Sequence, residues 1–333
     1  MATPTVKLGG SEVRGTRIGD VDVYWGIPFA APPLGPRRLE APEPATLPRI
    51  VHATSPRASA PQPVSKIGAR LGLVSLVQDE DCLHVNVWTN AKAGDRRPVM
   101  VWLHGGGFDA GNATNGVTHA HRLVERTGAV VISAQYRLGA LGFLAVPGCP
   151  ENRGLLDQLE ALRFVQRHAA DFGGDPTNVT LFGWSAGAVS ALLLAAQPEA
   201  KGLFRRVISQ SGHVDCLHDR RSARRIREAL FLALGWPAEL TPDDARGRLA
   251  TVSVATLLKA QQRAERQLSG TINGLPFIPT MDGLTPFDRY VAGAGEGTEF
   301  MIGSTRDEYK LSRLLELGRT FDDDELTRQV NGM

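Results

Sequence analysis

The chain has 333 residues, 42% of them hydrophobic and 22% charged, the balance of a globular protein and not of a disordered or fibrous one. A formal net charge of +2, from 37 basic and 35 acidic residues, gives no electrostatic reason to expect nucleic acid or an anionic membrane as a partner. Glycine and proline, at 36 and 21 residues and without a G-X-Y period, point to many turns rather than to collagen.

The N-terminal segment from Thr5 to Phe29 alternates apolar and polar residues around Gly9-Gly10 and Gly19-Asp20, which predicts two or three short antiparallel strands. The proline-rich stretch from Pro28 to Pro63 reads as an ordered surface loop. Strands and helices then alternate. Strands are expected at His84–Trp88, Pro98–His104, Ala129–Ala134, Val179–Gly183, Arg206–Gln210 and Glu299–Gly303. Helices are expected at Val117–Thr127, Gly154–Ala170, Ala186–Ala196 and about Asp307–Leu317. The charged, strand-free stretch 220–268 reads as a helical insertion at the rim of the active site. This alternation predicts an α/β fold with a mostly parallel sheet covered on both faces, in a single domain over 1–333.

The longest apolar run, Ala191 to Ala196, is far short of the ~20 residues a bilayer span needs, and the start MATPTVKLGG has no apolar core of a secretory signal. Cys82, Cys149 and Cys216 are odd in number and widely spaced, so neither a disulfide framework nor a metal site is expected. The expectation is a cytoplasmic protein with free thiols, no metal, no cofactor and no membrane span.

Two motifs carry chemistry. Gly183-Trp184-Ser185-Ala186-Gly187 is a G-x-S-x-G between the strand VTLF and the helix AGAVSALLLAA. That context turns a glycine-rich bend into a nucleophile turn, with Ser185 at the top of the sheet and a helix N-terminus behind it. His104-Gly105-Gly106-Gly107-Phe108 follows the strand PVMVWL. Acyl transfer builds an oxyanion that backbone N–H groups must meet, and glycines let the backbone approach closely. No Lys-Ser or Lys-Thr follows, which argues against a phosphate-binding loop. The donors are expected at Gly106, Gly107 and Ala186, with His104 a structural residue of the loop. Phe108 and Trp184 are expected to line the substrate pocket.

These motifs sit within a longer set: YWGIPFAAPPLGPRRLEAPEP from Tyr24, EDCLHVNVW from Glu80, VWLHGGGF from Val101 and YRLGALGFL from Tyr136. It continues with the long segment from Gly154 through FGGDPTNVTLFGWSAGAVS, then GLFRRVISQSG from Gly202, PFIPTMDG from Pro276 and IGSTRDE from Ile302. Across nearly the whole chain the sequence resembles the type-B carboxylesterase/lipase family, which includes bacterial nitrobenzyl-type esterases and cholinesterases. The resemblance implies an α/β-hydrolase fold and hydrolysis of small-molecule carboxylic esters through a Ser-Glu-His triad. Ser185 is then the nucleophile and Glu308 the acid, although taken bare Glu308 would read as a solvated acid at a helix start. It also implies two ion pairs that tie loops to the sheet, Arg38 with Glu80 and Arg137 with Asp157.

Three departures stand out. Trp184 occupies a position where the family usually has glutamate, and no cysteine precedes Cys82 to pair with it. The third concerns the base. The order in this fold is Ser, then Asp or Glu, then His, yet all eight histidines precede Glu308. The sequence therefore reads as C-terminally incomplete, with the triad histidine beyond it. His213, just after SQSG, is the one candidate stand-in, the other reading being a pocket-lining side chain. An inactive remnant or a non-catalytic interaction protein is the alternative to an esterase.

Overall fold

The computed structural model describes residues 3–64, 77–114, 120–272, 275–281, 286–306 and 308. Eight strands form the main sheet, in the order β3-β4-β6-β8-β7-β9-β10-β11. In chain order the strands are β1 (Thr5–Leu8), β2 (Ser11–Arg14), β3 (Thr16–Ile18), β4 (Val21–Pro28), β5 (Ile50–His52), β6 (His84–Thr89) and β7 (Arg97–Leu103). They continue with β8 (Val130–Ala134), β9 (Gly174–Trp184), β10 (Arg206–Gln210) and β11 (Glu299–Gly303). The helices are α1 (His121–Thr127), α2 (Gly139–Phe143), α3 (Arg153–His168), α4 (Ala186–Ala195), α5 (Arg220–Ala233), α6 (Pro242–Thr251), α7 (Val254–Leu268) and α8 (Pro286–Val291).

From β8 to β11 the pairing is parallel, whereas β3, β4 and β6 join antiparallel. The chain leaves β7 for β8 on one side and returns as β9 on the other. This reversal falls at the C-terminal ends of β7 and β9, the place where open α/β sheets bind ligands. The buried strand β8 and the alternately buried β7 account for the β-branched runs VVIS and PVMV.

Helix α4 is buried along its whole length, which suits its uniformly apolar sequence directly behind Ser185. Helix α3 buries Leu155, Leu159, Leu162 and Val165 on one face, as the spacing predicts. The stretch 220–268 folds as α5, α6 and α7, each started by a side-chain cap: Asp219, Thr241 and Ser253 accept from Ser222, Asp244 and Thr256 N–H groups.

Both expected ion pairs are present. Arg137 donates from Nε and Nη2 to Asp157 at 2.8 and 2.7 Å, and its remaining donor group meets the carbonyls of Arg38 and Glu40. Arg38 bonds Glu80 at 2.7 and 2.6 Å and reaches the Leu249 and Val252 carbonyls beyond it. The two pairs thus lock the N-terminal wrap to α3 and to the end of α6.

The structure departs from the sequence reading in several places. The first 28 residues hold four strands, because β3 splits from β2 at Gly15 and pairs with β4. The proline-rich stretch carries β5, which pairs parallel with β2, and buries Ala53, Ala60 and Gln62. Helix α1 begins at His121; residues 117–119 lie outside the described ones, as does most of the helix expected at Asp307–Leu317. Helices α2 and α8 were not anticipated. Strand β11 pairs with β10 only, among the described residues, and exposes Phe300, Met301 and Ile302. The three cysteines are free. Among the described residues no helix is long and apolar enough to cross a membrane.

Candidate active site

Ser185 sits at the joint between β9 and α4 with φ +53° and ψ −122°, a positive-φ conformation that residues other than glycine rarely adopt. The turn is tight because both motif glycines lie in backbone-to-backbone contact. A Cβ on Gly183 would collide with Gly187, and one on Gly187 with the Leu103 carbonyl at the end of β7. The Ser185 amide donates to the Gln210 carbonyl of β10 at 2.9 Å, and its carbonyl accepts from Val189 in the first turn of α4. Strain held by these bonds is characteristic of functional positions.

The glycine loop after β7 packs onto this turn. A Cβ on Gly105 would lie 2.7 Å from the Trp184 carbonyl oxygen and 3.3 Å from Ser185 Cβ. The N–H groups of Gly106 and Gly107, and that of Ala186 at the start of α4, donate to no other described residue. Asp109, next in the loop, is pushed up to about 7 by burial and by the Glu265 carboxylate of α7.

Glu308 lies two strands away. Its carboxylate accepts from the Thr305 N–H at 2.8 Å and the Thr305 hydroxyl at 2.6 Å. The Thr305 and Ser211 hydroxyls hold it below the usual carboxylate range, so it is an anion at neutral pH. Ser211 has φ +58° and donates its amide to Gly303. The ends of β9, β10 and β11 are thereby stitched together by Ser185 to Gln210 and Ser211 to Gly303, with Glu308 beside Ser211. Sequence reasoning did not single out Ser211; its one signal is its place in SQSG, directly after a strand.

The remaining expected residues are more scattered. Trp184 is 41% exposed, with its ring edge against Gly105. Phe108 is buried, has φ +65° and packs edge-on against Phe143, so it supports the loop from the core. His213 follows Gly212, which lies against Ala188 and Val189 of α4, but makes no hydrogen bond among the described residues. His84 and His104 are buried and pushed down to about 4 by desolvation, and His218 is bound to the Leu275 carbonyl. His168 faces Asp171. Among the described residues no histidine is bonded to Ser185, and no group of three His, Cys, Asp or Glu could hold a metal ion.

A parallel sheet with a strained serine at a strand-to-helix turn, faced by a glycine loop, defines an α/β-hydrolase. A family model described as the carboxylesterase family matches residues 2–331, and the chain belongs to that family. It is 38% identical over 307 residues to the para-nitrobenzyl esterase of Bacillus subtilis (strain 168), covering 89% of this chain and 61% of that enzyme. Among solved structures, a thermophilic PNB esterase superposes with a TM-score of 0.87 at 34% identity, covering 98% of this chain and 68% of its own. A Geobacillus stearothermophilus carboxylesterase superposes with a TM-score of 0.85 at 33% identity, covering 98% and 67%.

Proposed function

We propose that this chain carries the nucleophile, acid and oxyanion hole of a carboxylic ester hydrolase. The observation that carries the reading is Ser185: a positive-φ, partly exposed serine at the C-terminal end of β9, touched by the glycine loop. Its Oγ attacks the ester carbonyl carbon while its proton passes to a base. The oxyanion accepts hydrogen bonds from Gly106, Gly107 and Ala186. The alcohol departs with the proton, and water then attacks the acyl-serine, releasing the acid and restoring the hydroxyl. Glu308 is the anion that would orient and stabilise the protonated base. Trp184 borders the acyl site, and Phe108 backs it. No metal or cofactor is required by this cycle.

Among the described residues no base is bonded to Ser185. His84 and His104 are buried and neutral, His168 and His218 are engaged elsewhere, and His213 is not bonded to Ser185. None of these histidines is placed as the base of the cycle, and the small helical region 220–268 is assigned to the rim of the site. The same observation favours a second reading, a chain with no turnover of its own. Losing the histidine of such a triad costs on the order of 10⁶ in kcat, while an assembled oxyanion hole retains ~10³–10⁴ over water.

The test is p-nitrophenyl acetate hydrolysis by the 333-residue chain and its Ser185→Ala variant. The expected result is slow, Ser185-dependent turnover. Rapid turnover lost in the variant would mean that a base is present, with His213→Ala the next variant. Turnover unchanged in Ser185→Ala would refute the assignment.

A further inference from the structure

His104 is set apart by what its ring touches. Its Nδ1 lies 2.9 Å from the Gly105 carbonyl oxygen. A carbonyl can only accept, so Nδ1 carries the proton and Nε2 is left as a bare acceptor. The ring stacks on Tyr136, with centroids 4.3 Å apart and planes 14° from parallel. The Tyr136 hydroxyl donates to the His104 carbonyl at 2.7 Å. Gly111 closes the other side, where a Cβ would lie 2.5 Å from Nδ1. Gln62 pins Gly111 in place, exchanging two hydrogen bonds with its backbone at 2.8 Å each. The Gln135 amide is beside the ring and buried.

The Gly105 carbonyl and the Gly106 N–H belong to one peptide unit. No cis peptide bond occurs among the described residues, so the two groups point in opposite directions. Whatever holds the carbonyl aims the N–H. Gly106 has φ +123°, and glycine's backbone freedom would otherwise let this peptide plane turn.

We infer that His104 is a positioning residue for acyl transfer: its Nδ1–H holds the Gly105 carbonyl and so fixes the direction of the Gly106 N–H toward the oxyanion. This rests on the assignment of Gly106 as an oxyanion donor and explains why a histidine begins the loop without serving as the base. The ring lies against the Gln135 amide, and its buried Nε2 has no bond to Ser185 among the described residues. Burial keeps the ring neutral, with a pKa of about 4, so the hydrogen bond persists across neutral pH in one tautomer.

The experiment compares wild type with His104→Phe, which keeps a stacking ring without the donor, and His104→Asn, whose amide can donate from the Nδ1 position. The readout is the single-turnover rate of Ser185 acetylation by p-nitrophenyl acetate, over a range of ester concentration. His104→Phe should slow acetylation about 10²-fold or more, as loss of one oxyanion donor does, with the half-saturating concentration little changed. His104→Asn should recover at least about tenfold of that loss. Acetylation by His104→Phe within about threefold of wild type, or no recovery in His104→Asn, would overturn the inference. A wild-type chain that never acetylates Ser185 would instead refute the functional reading. Nitrogen-15 spectra of the imidazoles then decide the inference without turnover. The signal lost in His104→Asn should report a neutral ring protonated at Nδ1 from about pH 6 to 8, and an Nε2-protonated ring would overturn it.

Discussion

Arg137 and Asp157 are joined three ways: two side-chain bonds at 2.8 and 2.7 Å and a third from the Arg137 amide at 3.0 Å to the same carboxylate. Both side chains are buried, at 2% and 0% exposure. Arg137 directly follows Tyr136, which anchors His104, so the pair holds the floor of the glycine loop as well as α3.

Breaking this pair from one side should be costly. Asp157→Asn leaves a buried guanidinium without its counter-ion, and the expected loss is about 3–5 kcal/mol of unfolding free energy. The double variant Arg137→Met/Asp157→Leu, which removes both charges, should be less destabilised than Asp157→Asn alone. Urea unfolding measures both. A loss below about 1 kcal/mol in Asp157→Asn would show that the pair is not buried as described.

The turn at Ser185 gives a second expectation. A non-glycine residue held at such a positive φ stores about 1–3 kcal/mol, which glycine would release. Ser185→Gly and Ser185→Ala both remove the hydroxyl, but only the first relieves the backbone. After allowing for glycine's extra freedom in the unfolded chain, Ser185→Gly should be more stable than Ser185→Ala by about 1 kcal/mol. Equal melting temperatures would argue against strain at the nucleophile.

Acid should weaken the fold through its buried histidines, His84 and His104 most of all. His84 and His104 stand at about 4 against an ordinary 6.5, chiefly through burial. The unfolded chain therefore binds more protons below pH 6.5. Stability is full above about 6.5 and falls as pH drops toward about 4, by up to roughly 3 kcal/mol per histidine. Unfolding free energies measured between pH 7.5 and pH 4.5 should show this slope, with a shallower one in His104→Asn. A wild-type chain equally stable across that range would contradict the burial of both rings.

Much of this architecture is legible in the sequence because its signals are local. The β-branched runs of β7, β8 and β9 and the apolar α4 announce a buried parallel sheet, and the two glycine motifs fall at strand ends. The ion pairs came through family resemblance, since nothing local joins Arg38 to Glu80 across 42 residues. What escaped depends on distant partners. Helix α2 is only GALGF, and its carbonyls are gathered by the buried Arg153 guanidinium, which bonds Ala140, Leu141 and Leu144. Strand β5 hides among prolines because only pairing with β2 makes it extended. Ser211 gains meaning only when β10 and β11 bring Glu308 to it.

The central claim, that Ser185 is the acylated nucleophile, is tested most directly by mass spectrometry of the chain after prolonged incubation with p-nitrophenyl acetate. The activated aryl ester acylates with less help from a base than water needs to attack the acyl-serine, so the acetyl-serine should persist long enough to be captured. The account predicts one acetyl group on the peptide containing Ser185, absent in Ser185→Ala. An unmodified Ser185, or equal labelling of other residues in both proteins, would contradict it.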